Sequence, residues 1–172
     1  GYINIPDTVI SYPVVQRRSE DGNDYYMDKN IDKEEAKAGT IFLDWRNNFD
    51  YVVNGTKVME NSQNLVIYGH DMKDDSMFGS LGYYKDSYGY YSEHPIIELS
   101  SNYETYQYKI FAYFIVDAED ETETKFDCWN TLDFENEEQF YEYVNNARKR
   151  ALTLNDVDVR YGDQLLTLQT CN

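Results

Sequence analysis

Cys171 and His70 are the two residues of this chain whose types could together attack an amide carbonyl. A free cysteine has a pKa of about 8.5, so attack at neutral pH requires a thiolate or a thiol paired with a base. Imidazole is the usual partner, and the chain offers His70 and His94. Cys171 ends the run Leu165-Leu-Thr-Leu-Gln-Thr-Cys171, where a core strand would hold its sulfur rigidly. His70 lies in Tyr68-Gly-His-Asp-Met72, and the glycine permits a sharp turn after a strand. Each residue alone also has a plainer reading. An isolated cysteine packs as a small hydrophobe, and a single histidine can serve structure or surface. His94, in Ser92-Glu-His-Pro95, and Cys128, before Trp129, have no matched partner and read as structural.

The elements that must position this pair are mostly strands. Residues 1–16 read as two short strands around Pro6-Asp7, and residues 23–27 as the start of another extended piece. Residues 32–38 are polar and helix-tolerant, with Gly39 closing them. Thr40-Ile-Phe-Leu-Asp-Trp45 is a strand by composition, and Asn54-Gly55 is a turn signal. Leu65-Val-Ile-Tyr68 reads as a buried strand that ends just before His70. Residues 76–91 predict short helical pieces broken by glycines; residues 96–99 and 103–116 predict strands. The clearest helix is 136–151: Asn136 can cap it, and Phe140, Val144, Ala147 and Ala151 share one face. Residues 164–171 form the last strand. Many strands and few helices give a mainly β fold with peripheral helices, a β-barrel with helices at its margins.

The composition sets limits on partners. The 172 residues suit one domain, and a net charge of −17 would repel nucleic acid and anionic lipid. The 18 tyrosines suit half-wet sheets and peptide grooves. No stretch reaches the ~20 apolar residues of a membrane helix. Two cysteines do not make a disulfide framework at this length, leaving at least one free for chemistry. The acidic run from Glu119 to Glu123 could hold calcium, but reads first as solvated charge.

Several motifs together go further. Tyr68-Gly-His70 followed by Ser76-Met-Phe-Gly-Ser-Leu81 resembles the histidine segment of class B sortases, and Thr167-Leu-Gln-Thr-Cys171 resembles their TLxTC strand. Tyr12-Pro-Val-Val-Gln16, Asn23-Asp-Tyr-Tyr-Met27 and Ala38-Gly-Thr-Ile-Phe-Leu-Asp-Trp-Arg-Asn47 also look like class B segments, in the right order. The resemblance covers nearly the whole chain. It implies a sortase-like β-barrel with class B helical additions, and a single catalytic domain over residues 1–172. It implies a cysteine transpeptidase that acts outside the membrane of a Gram-positive cell and needs no metal or organic cofactor. Cys171 would take the acyl group of a sorting signal as a thioester, and an amine of cell-wall precursor or pilin would resolve it. His70 would be the catalytic partner, Asn23 and Met27 would line the peptide groove, and Gln169, Thr170 and Asn172 would flank the nucleophile. The family's arginine follows the cysteine strand. None of Arg46, Arg148 or Arg160 occupies that position, so the arginine strand is expected beyond Asn172 and a membrane anchor before Gly1. Two other readings stay open: a Cys-His peptidase that only hydrolyses, and a non-catalytic peptide-binding domain.

Overall fold

The computed structural model describes residues 1–18, 22–117, 119, 125–153 and 155–170. Its strands are β1 (Tyr2–Asn4), β2 (Ser11–Pro13), β3 (Phe42–Leu43), β4 (Val52–Val53), β5 (Thr56–Lys57), β6 (Asn64–Tyr68), β7 (Ile96–Ser100), β8 (Thr105–Lys109) and β9 (Leu165–Gln169). Its helices are α1 (Tyr83–Asp86), α2 (Tyr88–Glu93) and α3 (Glu137–Arg150).

One sheet has the order β2-β1-β7-β8, and a second has β3-β6-β9. They join through the segment after β2: Val15 donates to the Ile41 carbonyl at 3.1 Å and accepts from Leu43 N–H at 2.9 Å. Between the sheets lies the main core, built on Ile3, Ile5, Leu65, Ile67, Phe78 and Leu99, all 0–1% exposed. On the other side of β6 and β9, α3 buries Phe140, Tyr143 and Val144 with Cys128, Phe134 and Leu165. The central strand β6 is therefore covered on both faces, which explains its unbroken apolar run. The fold is mainly β with helices at the margin. Among the described residues the succession of pairings stays open between β8 and β9.

Local sequence accounts for the ends of these elements. Asn136 accepts from Gln139 N–H at 3.0 Å and caps α3, whose first turn carries Glu137 and Glu138 and whose last carries Arg148, Lys149 and Arg150. Asn54 and Gly55 take φ of 49° and 78°, the left-handed pair that a two-residue hairpin needs between β4 and β5.

Several predicted elements come out differently. Residues 23–27 are not extended; Asp24–Tyr26 forms a 3₁₀ turn. Residues 32–38 are not helical. The Asn30 side chain accepts from Glu34 N–H at 2.9 Å, Lys33 takes φ 68°, and Lys29 bridges Glu35 as in a small hairpin. The strand expected over 103–116 is paired only at β8; beyond it Phe111 and Phe114 turn toward the second core. In the 40–45 run only Phe42–Leu43 forms a strand, although Asp44 N–H still donates to the Val66 carbonyl at 2.8 Å. The acidic run at 119–123 lies outside the described residues except for Glu119, whose N–H meets the Asp117 carboxylate at 2.9 Å.

Candidate active site

The site begins with a strand register. β6 and β9 run parallel, pairing Asn64 with Leu165 through to Tyr68 with Gln169. The two strands leave the sheet side by side at the same end, and Gly69 N–H donates to the Gln169 carbonyl at 3.0 Å. Two residues beyond Tyr68 is His70. Cys171 and Asn172 lie outside the described residues.

Close packing fixes the turn that carries His70. A Cβ on Gly69 would sit 2.4 Å from Ile41 Cδ1 and 2.7 Å from Phe78 Cδ2, so only glycine lets the chain cross this part of the core. The His70 carbonyl accepts from Phe78 N–H at 2.9 Å, which folds the 70–78 loop back beneath the histidine. Met77 N–H donates to the Tyr12 hydroxyl at 2.9 Å and ties that loop to the N-terminal hairpin. We expect Gly69→Ala to destabilise the fold by roughly 1–3 kcal/mol through overpacking. Denaturant unfolding would read the loss, whereas a Gly89→Ala control, on an exposed helix face, should retain its midpoint.

The His70 ring is half-buried, and its Nε2 contacts the Met27 carbonyl. That carbonyl is held in turn. Met27 N–H donates to the Asp24 carbonyl at 3.1 Å, and Thr40 N–H donates to the Tyr26 carbonyl at 3.0 Å. Gly39, at φ +58°, passes so close that a Cβ there would lie 2.5 Å from the Met27 oxygen. The Met27 side chain is 39% exposed and free to meet a ligand.

The hub behind these residues is Asp44, whose side chain is fully buried. Its Oδ2 accepts from Asn23 Nδ2 at 2.9 Å, Tyr68 OH at 2.9 Å and Arg46 Nη2 at 2.8 Å; its Oδ1 accepts from Arg46 Nε and N–H at 2.9 Å each. Burial alone would raise this carboxyl. The Arg46 donors, with Asn23 and Tyr68, outweigh it and hold Asp44 below the ordinary carboxylate range. Burial, reinforced by the Asp44 charge, pushes the Tyr68 hydroxyl up, so it stays a donor. The Asn23 side chain is used at both ends, since its Oδ1 accepts from Trp45 N–H at 2.9 Å. Its amide is thus committed to the protein at both ends.

At the end of β9, Gln169 Oε1 and Thr170 Oγ1 are buried, and neither has a hydrogen-bond partner among the described residues. Both sit beside the exit from the sheet. The three arginines considered from sequence are engaged elsewhere. Arg46 also reaches Asn130 Oδ1 and the Trp129 carbonyl, Arg148 the Val157 carbonyl, and Arg160 the Asp158 carboxylate. Cys128 is 5% exposed in the second core, and burial pushes its thiol up to about 11, a structural cysteine. His94 packs on Tyr90 with ring centroids 4.5 Å apart, and its Nδ1 lies 3.1 Å from the Pro6 carbonyl. It fastens α2 to the first hairpin.

Sequence reasoning missed Asp44, Tyr68, Gly39 and Phe78. A signal for Asp44 was present: a charged residue ends the apolar run Ile41-Phe-Leu and is followed two residues later by Arg46.

The sortase domain family matches residues 3–172. Sortase B of Listeria monocytogenes is 34% identical over 172 residues, covering 100% of this chain and 62% of that protein. Sortase B of Staphylococcus aureus is 30% identical over 172 residues, covering 99% and 62%. The chain thus spans about three-fifths of the length of these relatives. Among solved structures, a Staphylococcus aureus sortase B–substrate complex superposes with a TM-score of 0.83 at 27% identity, covering 99% of this chain and 70% of the other. A sortase B complexed with triglycine gives 0.83 at 27% identity, covering 99% and 71%. With the family matched from the first strand to the last, and the fold shared with sortase B, this chain belongs to the sortase family.

Proposed function

We propose that the chain is the catalytic domain of a class B sortase that cleaves a sorting signal through a thioester on Cys171 and passes the acyl group to an amine. The observation that carries this reading is the parallel register of β6 and β9. Tyr68 lies opposite Gln169, so His70 follows β6 at the same end of the sheet from which the chain leaves β9 toward Cys171, and the proposal has the two side chains act together there.

In the proposed reaction the Cys171 proton passes to His70, and the thiolate attacks the scissile carbonyl carbon. The C–N bond breaks as His70 returns the proton to the departing amine, leaving the thioester. The incoming amine then attacks the thioester carbonyl and gives a proton to His70, the C–S bond breaks, and His70 returns the proton to the sulfur, restoring the thiol. Gln169, Thr170 and Asn172 are the residues beside the nucleophile in sequence and are proposed to contribute to binding the peptide. Met27 gives the peptide an apolar contact, and Asn23 shapes the wall behind it. The solved complexes of sortase B with substrate and with triglycine support a peptide on one side and an amine on the other. The acceptor is proposed to be cell-wall precursor or pilin, and the setting the outer face of the membrane. Among the described residues no helix is long and apolar enough to cross a bilayer.

Mass spectrometry of the protein incubated with sorting-signal peptides tests the reading. We expect an acyl adduct on Cys171, persisting in Cys128→Ala and lost in Cys171→Ala. Added triglycine should convert the adduct to an amide product. Free acid as the sole product would mark a hydrolase instead, and binding without adduct a non-catalytic domain.

A further inference from the structure

We propose that the Met27 carbonyl holds His70 as its Nε2–H tautomer, leaving Nδ1 to exchange the proton, and that Asp44, acting through Asn23, positions that carbonyl. A carbonyl oxygen can only accept a hydrogen bond, so the ring nitrogen facing it must carry hydrogen. His70 Nε2 faces the Met27 oxygen, so the proton-free nitrogen of the neutral ring is Nδ1. The backbone here takes the orienting part that a carboxylate plays in a Ser-His-Asp site.

The acceptor keeps its place because the 23–27 turn is anchored at both ends. At one end Asn23 donates to Asp44 and accepts from Trp45 N–H. At the other, Gly39 and Thr40 press against Tyr26 and Met27. Asp44 also receives the hydroxyl of Tyr68, two residues before His70 on β6. One buried carboxylate therefore sets both the acceptor and the strand that delivers the ring. Asp44 and the Met27 carbonyl are positioning groups, since neither reaches the reacting atoms.

The proposal rests on the reading of His70 as proton carrier for its consequence, but its test needs no turnover. The chain contains two histidines, and the structure gives them opposite tautomers: His94 Nδ1 faces the Pro6 carbonyl. In protein labelled with nitrogen-15 histidine, a long-range proton–nitrogen correlation spectrum well above the ordinary histidine pKa of about 6.5 resolves both rings. The expected result is one Nε2–H ring, His70, with that proton protected from exchange, and one Nδ1–H ring, His94. In Asn23→Ala and Asp44→Asn the His70 proton should lose its protection and the ring should average between tautomers, while His94 stays as it was. Met27→Ala, which keeps the backbone carbonyl, should leave both signals in place. His94 serves as the folding control: if Asp44→Asn disturbs it, Asn23→Ala carries the test. An Nδ1–H ring or an unprotected Nε2–H at His70 in the parent protein overturns the tautomer assignment. A His70 signal unmoved in Asn23→Ala overturns the part given to Asp44. If the signals are as expected but Cys171 takes no acyl group, the functional reading fails and this one stands.

Discussion

Replacing His70 with alanine is expected to lower acyl transfer by a factor of about 10²–10⁴, the range for loss of a general acid–base group. The ring is proposed to act four times in a cycle: it takes the thiol proton, gives it to the departing amine, takes one from the incoming amine and returns it to the departing sulfur. Without it the thiol is mostly protonated at neutral pH and the amine leaves as a poor anion. Stability should change little, because the ring is only half-buried. His94→Ala makes the opposite pattern. Loss of the Pro6 contact and of packing on Tyr90 should cost about 1 kcal/mol, or roughly 2–4 °C in Tm, with turnover retained. Steady-state rates with a fluorogenic sorting peptide, set beside melting curves, check both. Retained turnover in His70→Ala would require another proton carrier.

Phe78→Ala should carry the largest stability cost at the site, about 3–5 kcal/mol, or roughly 6–20 °C in Tm. Phe78 is fully buried in the main core, its ring lies under Gly69, and its N–H holds the His70 carbonyl. Truncation leaves a cavity where the chain crosses the core at Gly69 without a side chain. Phe140→Ala is the matched control: it is 1% exposed, lies in the second core, and should cost a similar amount. At a temperature where both variants stay folded, Phe140→Ala should keep its turnover. Phe78→Ala should lose it as the 70–78 loop slackens. Equal turnover in the two would mean that the loop does not depend on this ring for its shape.

Elements whose local signals agree with their packing were legible in the sequence. The helix from 136 onward has cap, charge gradient and apolar face in one register, and β6 has an apolar run of strand length. The 32–38 segment was misread because its composition tolerates a helix, while Asn30 and a left-handed Lys33 close a tighter turn that composition does not show. The strand over 103–116 was overextended because alternation continues past β8, although the later aromatics serve the second core. For the site, motif resemblance singled out His70 and Met27 but said nothing of why they meet. That depends on a carboxylate turned inward from the end of β3 and on two glycines, Gly39 and Gly69, that allow close backbone approach. Those contacts join segments far apart in sequence, and periodicity carries no trace of them.

The pairing of β6 with β9 also sets an order of events in folding. Every rung of that ladder joins residues 101 positions apart, as in Asn64 to Leu165. Closing so long a loop costs chain entropy before any contact repays it, so such pairings form late. The hairpins β1–β2 and β7–β8 and the helix α3 need only neighbouring residues and can form first. The chain around β6 is therefore expected to fold before β9 docks beside it, and the Gly69 N–H bond to the Gln169 carbonyl closes with that docking. Until then β6 presents an open edge on a strand that is apolar on both faces, and that interval is when the nascent chain is most exposed to pairing with another molecule.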